Sequence, residues 1–294
     1  MTGFELRVST QNSTFDDSGA GTLPVTVTNV GTEDASGETS VIVISPFYAN
    51  FARNSEPAGF LRYIVENPAP NIPEMLECRI PAADLKAGSS VSLEVALALV
   101  EQGPRSPGNC MAIATPLFGN RPDLVSVGET AQIRKTDVSL PAPPAGANLV
   151  NAYTTFAKPV LKAGATRPLR LAVGNLGPKA PLSDAVVTLV TPHLSKVDRS
   201  NALFALLKPT YLHQLTDRPD VPDMVTLPVS RLLLPPDPNA VLDALGVKVL
   251  SVPLVGHGPL TSERLGKVML AVGAKDFDPD KSIAAASVPA MQPA

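Results

Sequence analysis

The side chains with the most obvious chemical reach lie between residues 193 and 223: His193, His213, Asp217, Asp220 and Asp223. A histidine held by a carboxylate can take a proton from a substrate, and two histidines can share a metal. His257, the third histidine, sits between two glycines. Acid–base chemistry needs these groups to converge, and their spacing does not require it. No G-x-S-x-G, H-E-x-x-H or phosphate-binding glycine loop is present. Surface or structural histidines are the plainer reading. Asp276, Asp278 and Asp280 are spaced as a calcium loop begins, and a hard cation takes several oxygens. Lys281 stands where such a loop needs its glycine, and no closing glutamate follows. A solvated acidic turn is the default, with Ca2+ as the ligand it would take. Cys78 and Cys110 are the only cysteines. They either bridge two strands in an oxidising compartment or lie buried as free thiols.

Aromatic residues suggest contact rather than catalysis. There is no tryptophan, and Tyr48, Tyr63 and Tyr211 fall in two long insertions, 46–73 and 192–223. Sugar rings stack on Trp or Tyr faces, so a chain this poor in both is a weak lectin. Tyr is favoured at protein interfaces. The expected binding residues are therefore Tyr48, Phe51, Phe60, Tyr63, Phe204, Tyr211 and His213. Exposed phenylalanines would support this set and buried ones would remove them.

These residues hang on a duplicated framework. Asn29-Val30-Gly31 returns as Asn175-Leu176-Gly177, an offset of 146 (29 to 175) that also pairs Leu23 with Leu169 and Val43 with Leu189. Fixed-offset self-similarity marks one unit built twice. Gly103-Pro104 matches Gly258-Pro259 at 155, with the extra residues expected around 235–245. Alternating apolar residues predict strands near 4–10, 23–29, 39–45, 74–80, 91–99, 110–116 and 130–138. A second set falls near 149–156, 168–174, 184–190, 224–234, 246–254, 267–273 and 283–289. The Asn-Val-Gly-Thr run is expected to turn through positive φ. Segments 58–66 and 200–208 have apolar spacing that suits short helices. The 31 prolines are about twice the usual ~5% share and disfavour long helices.

The fold class is thus all-β: two tandem immunoglobulin-like β-sandwiches, each with a long insertion that can hold a short helix. The domains run 1–140 and 148–290, joined by a Pro-rich linker at 141–147 and followed by a tail at 291–294.

Val25-Thr26-Val27-Thr28-Asn29-Val30-Gly31, followed by a Ser/Gly-rich turn and a second alternating strand, resembles the bacterial DUF11 and CARDB-like repeats. These are immunoglobulin-like adhesion modules of cell-surface and extracellular proteins. Leu171-Ala172-Val173-Gly174-Asn175-Leu176-Gly177 keeps the pattern in the second copy. Leu85-Lys86-Ala87-Gly88 and the turn at Asp276–Asp280 are similar to turns of that family. Lys281-Ser282 replaces the paired asparagines usual after the acidic turn. The resemblance implies the sandwich fold and, less directly, an adhesive role.

Net charge is −3 and no Lys/Arg stripe is present, so nucleic acid is not an expected partner. No apolar run approaches the ~20 residues that span a bilayer. No signal peptide is seen, so the expected location is cytoplasmic or reached by non-classical export. The favoured function is a non-enzymatic structural or protein-interaction module that uses its insertions as binding surface. The partner is another protein or the chain itself. The alternatives are an enzyme or small-molecule binder with a cleft between the domains, and a self-assembling shell or fibre subunit.

Overall fold

The computed structural model describes residues 3–46, 49–52, 61–65, 73–99, 109–117, 127–135, 152–157, 161–175, 180–181, 184–192, 194–218, 221–235, 247–257, 264–272 and 283–290. The chain separates into two compact units. One is Met1–Gly103 with Pro107–Val138, and the other is Ser139–Ala294 with Pro104–Ser106. The linker read at 141–147 lies outside the described residues.

The first unit contains β1 (Leu6–Thr10), β2 (Ser13–Phe15), β3 (Ala20–Asn29), β4 (Thr39–Ile44), β5 (Ala49–Phe51), β6 (Leu61–Val65), β7 (Met75–Ile80), β8 (Ser90–Leu99), β9 (Asn109–Pro116) and β10 (Val127–Lys135). One sheet runs β1-β3-β8-β5 and the other β2-β10-β9-β4-β7-β6. β1 pairs antiparallel with β3, and β2 then crosses to pair parallel with β10. This is the strand order of an immunoglobulin-like sandwich, whose two sheets face each other across one core. The alternation that marks the strands fills that core. Leu23, Val25 and Val27 are fully buried, with Val41, Val43, Leu76 and Cys78 among the residues clustered with them. Every residue of β4 is buried, on both faces of its sheet. That explains why its sequence is a nearly continuous apolar run.

The second unit repeats the plan with β11 (Ala152–Ala157), β12 (Thr166–Asn175), β13 (Ala185–Val190), β14 (Ser195–Val197), α1 (Ala202–Leu207), β15 (Tyr211–His213), β16 (Met224–Pro228), β17 (Lys248–Gly256), β18 (Arg264–Val272) and β19 (Ile283–Ala290). Its sheets run β11-β12-β17-β14 and β15-β16-β13-β18-β19. Strands β3, β4 and β5 return as β12, β13 and β14 at the same offset of 146. The register then drifts. Val41 pairs with Cys78 and Val187 with Leu227, an offset of 149. Leu23 pairs with Val95 and Leu169 with Val252, an offset of 157. The Gly-Pro match at 155 is therefore two residues out of step with the strand beside it.

The Asn-Val-Gly repeat works differently from the expectation. Asn29 ends β3, and among the described residues the positive-φ glycines are Gly3, Gly19, Gly88 and Gly164, not Gly31. The buried Asn29 amide donates to the carbonyls of Leu85 and Glu33, while its oxygen accepts from the Gly31 N–H at 3.0 Å. Asn175 donates in the same way to the Leu233 carbonyl. Gly31 is small because the chain crosses it: a Cβ there would lie 2.0 Å from the Gly3 carbonyl oxygen. The requirement is close approach rather than left-handed backbone.

The two insertions also differ from each other. Segment 200–208 does form a helix, α1, whose Asn201 side chain accepts from the Leu203 N–H. Within 58–66, Leu61–Val65 is instead strand β6, paired with β7. Tyr63, Ile64 and Val65 are stiff β-formers, and the open edge of β7 supplies backbone partners that a lone short helix lacks.

Replacing Gly31 by alanine is expected to cost about 1–3 kcal/mol, the usual range for forcing atoms into filled space. Hydrogen exchange should quicken across β1 and β3 and stay unchanged in β12. Unaltered protection in β1 would contradict that crossing.

Candidate functional site

The insertions leave each sandwich from a short edge strand, and a buried carboxylate holds that strand in place. In the second unit Asp223 is fully buried. Its Oδ2 accepts from the Val197 N–H of β14 at 2.7 Å and from Gln214 Nε2 at 2.7 Å. Its Oδ1 lies 3.0 Å from Lys196 Nζ, which also donates to the Val221 carbonyl. The Asp223 N–H donates to Thr191 Oγ1 at 2.9 Å. The first unit has the same device. Glu74 accepts from the Phe51 N–H of β5 at 2.7 Å, and its own N–H donates to Ser45 Oγ at 2.8 Å. Ser45 and Phe51 become Thr191 and Val197 at the 146 offset, and Glu74 becomes Asp223 at 149. The copies diverge at the position just before that strand residue, where Asn50 stands in the first unit and Lys196 in the second.

Burial pushes the Asp223 carboxyl above its ordinary range, against the pull of Lys196 and the donors around it. A buried pair of this kind contributes little net stability. Stripping one partner, however, costs about 3–5 kcal/mol, because a bare charge is left inside. His213 on β15 packs beside this cluster. Its Nε2 is buried without a hydrogen-bond partner among the described residues. Burial and the nearby Lys196 charge lower its pKa below the usual 6.5. It is therefore neutral near pH 7, and no hydrogen bond joins it to Asp217 or Asp223. Lys196, Val197 and Gln214 occupy the Asp223 oxygens, so His213 follows the plainer structural reading of the histidines rather than the acid–base alternative.

Two of the expected contact residues are core residues. Phe51 belongs to the first hydrophobic core and Phe204 to the second, and both are buried. The Asn201 cap sets the phase of α1 so that Phe204 and Leu207 face the sandwich. Leu203 and Leu206, one turn apart, face outward, and Leu206 is 76% exposed. Tyr211 is half-buried on β15, and burial raises its phenol pKa. Tyr63 lies opposite Leu76 on β6; its side chain is outside the described set, as are Tyr48, Phe60, His193 and Asp220. Asp276, Asp278 and Asp280 lie outside it too. Among the described residues no group of three or more His, Cys, Asp or Glu side chains is gathered as a metal site would need.

Both cysteines are buried, and no disulfide joins them. Cys78 lies opposite Val41 on β4, whereas Cys110 adjoins Met111, which lies opposite Ile44. That separation along β4 is about 10–13 Å at ~3.3 Å per residue, too far for a disulfide. Burial and the Glu77 charge push the Cys78 thiol up to about 12.

A groove opens beside α1. Leu207, Leu232 and Leu250, which lean on the second core, line it together with Leu206, Asp184 and Arg231. Its volume is about 520 Å³. The signal for it in the sequence is the Leu203/Leu206 pair at helical spacing.

No family model matches this chain, and no curated protein matches it. Among solved structures it is similar to the B domain of a biofilm associated protein, at 8% identity and a TM-score of 0.28, covering 97% of this chain and 85% of that one. A partial N-terminal region of an enterococcal surface protein matches at 8% identity and 0.28, covering 99% and 95%. The seventh ScaB type I cohesin from Pseudobacteroides cellulosolvens matches at 8% and 0.27, covering 47% and 96%. Similarity at this level carries no argument about function.

His213 makes the second sandwich sensitive to acid. Its folded pKa lies below the unfolded value of 6.5, so its contribution to stability is complete above pH 6.5 and lost as pH falls through the folded value. Asp223, shifted upward, acts in the opposite sense nearer its ordinary 3.8. Urea stability should therefore fall as the pH is lowered below 6.5, and His213→Gln should flatten that fall. An imidazole titrating at or above 6.5 by NMR would contradict the assignment.

Proposed function

We propose that this chain is a non-enzymatic protein-interaction module. The two sandwiches act as rigid scaffold and the insertions supply the binding surface. The observation that carries this reading is an outward apolar face on α1 of the second insertion, Leu203 and Leu206, where Leu206 and Leu207 form one wall of a groove completed by Leu232 and Leu250 from outside that insertion. Single exposed leucines are ordinary, but an apolar patch continuous with a concavity is the usual mark of a contact site. Tyr211 and His213 extend the same insertion along β15, and Tyr48, Phe60 and Tyr63 are their counterparts on the first. The resemblance of both Asn-x-Gly strands to DUF11 and CARDB-like adhesion repeats points the same way. No helix of the described residues is long and apolar enough to cross a membrane.

Native mass spectrometry on protein purified gently from its own host tests this reading. The expected spectrum shows a higher oligomer or a second protein at fixed stoichiometry. A bare monomer that carries a small-molecule mass would overturn it in favour of a ligand-binding or catalytic role.

A further inference from the structure

The duplication provides an internal control for the groove, because each of its charged residues has a counterpart in the first sandwich. Asp184 corresponds to Glu38 at the 146 offset, and Pro228 corresponds to Arg79 at 149. In the first unit Arg79 lies 3.6 Å from Glu38 and also pairs with Glu77. Proline at 228 removes that guanidinium, and among the described residues the Asp184 side chain makes no ion pair or hydrogen bond. Arg231 corresponds to Ala83, both being the middle residue of a short 3-10 turn, Ser230–Leu232 and Ala82–Asp84 respectively. Arg231 also has no side-chain partner among the described residues. The second unit has thus lost an internal salt bridge on one side of the groove and gained an isolated cation in its lining.

We infer that the groove is a self-association surface: Leu206 of a second copy of this chain enters it, while Asp184 and Arg231 pair with Arg231 and Asp184 of that copy. The inference rests on the interaction-module reading and names its partner. A two-fold interface uses one patch on both subunits, so that patch must carry both halves of every contact. This one does. The hollow of about 520 Å³ has an apolar lining of Leu207, Leu232 and Leu250. The protrusion is Leu206 on the groove's own rim, 76% exposed, with Leu203 beside it at 46%. The patch also holds one unpaired charge of each sign. An unrelated partner would require a hollow or a protrusion, and one sign of charge would serve it. The presence of all four elements together favours a second copy. Pairing each charge across the interface also restores the carboxylate–guanidinium contact that the first unit makes internally.

Sedimentation equilibrium on the full chain over a concentration series tests this. The wild type should dimerise reversibly. Asp184→Arg, Arg231→Asp and Leu206→Glu should each weaken dimerisation about tenfold or more. Mixing the Asp184→Arg and Arg231→Asp proteins in equal amounts should restore it, since both cross-pairs become complementary. All three positions are at the surface or groove mouth, and the mixing experiment stands even if Leu206→Glu fails to fold. A wild type that stays monomeric throughout would overturn the inference. So would a dimer indifferent to all three changes, or a mixture no tighter than its components. A monomer that co-purifies with a different protein at fixed stoichiometry would overturn self-association and leave the interaction-module reading intact.

Discussion

Each sandwich depends on one buried carboxylate that accepts the backbone N–H of a three-residue edge strand. β5 and β14 are too short to be held by their ladder alone, with three paired positions each. Glu74 and Asp223 add a charge-assisted bond to the last residue of that strand, at 2.7 Å in both units. Such bonds are roughly twice as strong as neutral ones, and the low dielectric of the interior strengthens them further. The Ser45 and Thr191 hydroxyls fix the backbone of the acid itself. Each edge strand leads directly into an insertion, so the carboxylate also sets where that insertion leaves the fold. Scaffold and proposed contact surface meet at this bond.

The duplication preserves this device and varies its surroundings. Lys196 replaces Asn50 and gives the second acid a cation at 3.0 Å. The same lysine imposes a positive charge on His213, whose buried Nε2 has no acceptor among the described residues to offset it. At the groove, Pro228 and Arg231 replace Arg79 and Ala83. Among the described residues each unit buries two charged side chains, Glu74 and Glu77 in the first and Lys196 and Asp223 in the second, but the second pairs opposite signs and leaves Asp184 and Arg231 unpaired at the groove.

The framework was legible in the sequence because period-two alternation and fixed offsets follow directly from strand geometry. Leu23-Val25-Val27 and Leu169-Leu171-Val173 face the cores as read. The short edge elements were not legible: β2, β5, β14 and β15 have three residues each, too few for any periodicity. Segment 58–66 was ambiguous, since Leu61, Ile64 and Val65 satisfy helical spacing and strand propensity alike, and the edge of β7 decided. Gly31 was recognised as special for the wrong reason, because close approach of the Gly3 backbone is a long-range fact. The contact residues were misjudged where burial matters most. Phe51 and Phe204 fill the cores, while the exposed positions went to leucines whose outward phase depends on where Asn201 caps α1. Asp223 stood out as a candidate base, yet its partners come from β14 and Gln214, which no local pattern connects.

If the buried carboxylate anchors the edge strand, it also anchors the insertion behind it, and hydrogen exchange on Asp223→Asn tests this most directly. The Val197 amide and the segment from β14 through β15 should lose markedly more protection than β12 and β13, which fall only with the global stability of the second sandwich. Unchanged exchange across residues 195–213, or a loss there no larger than in β12 and β13, would contradict that anchoring role.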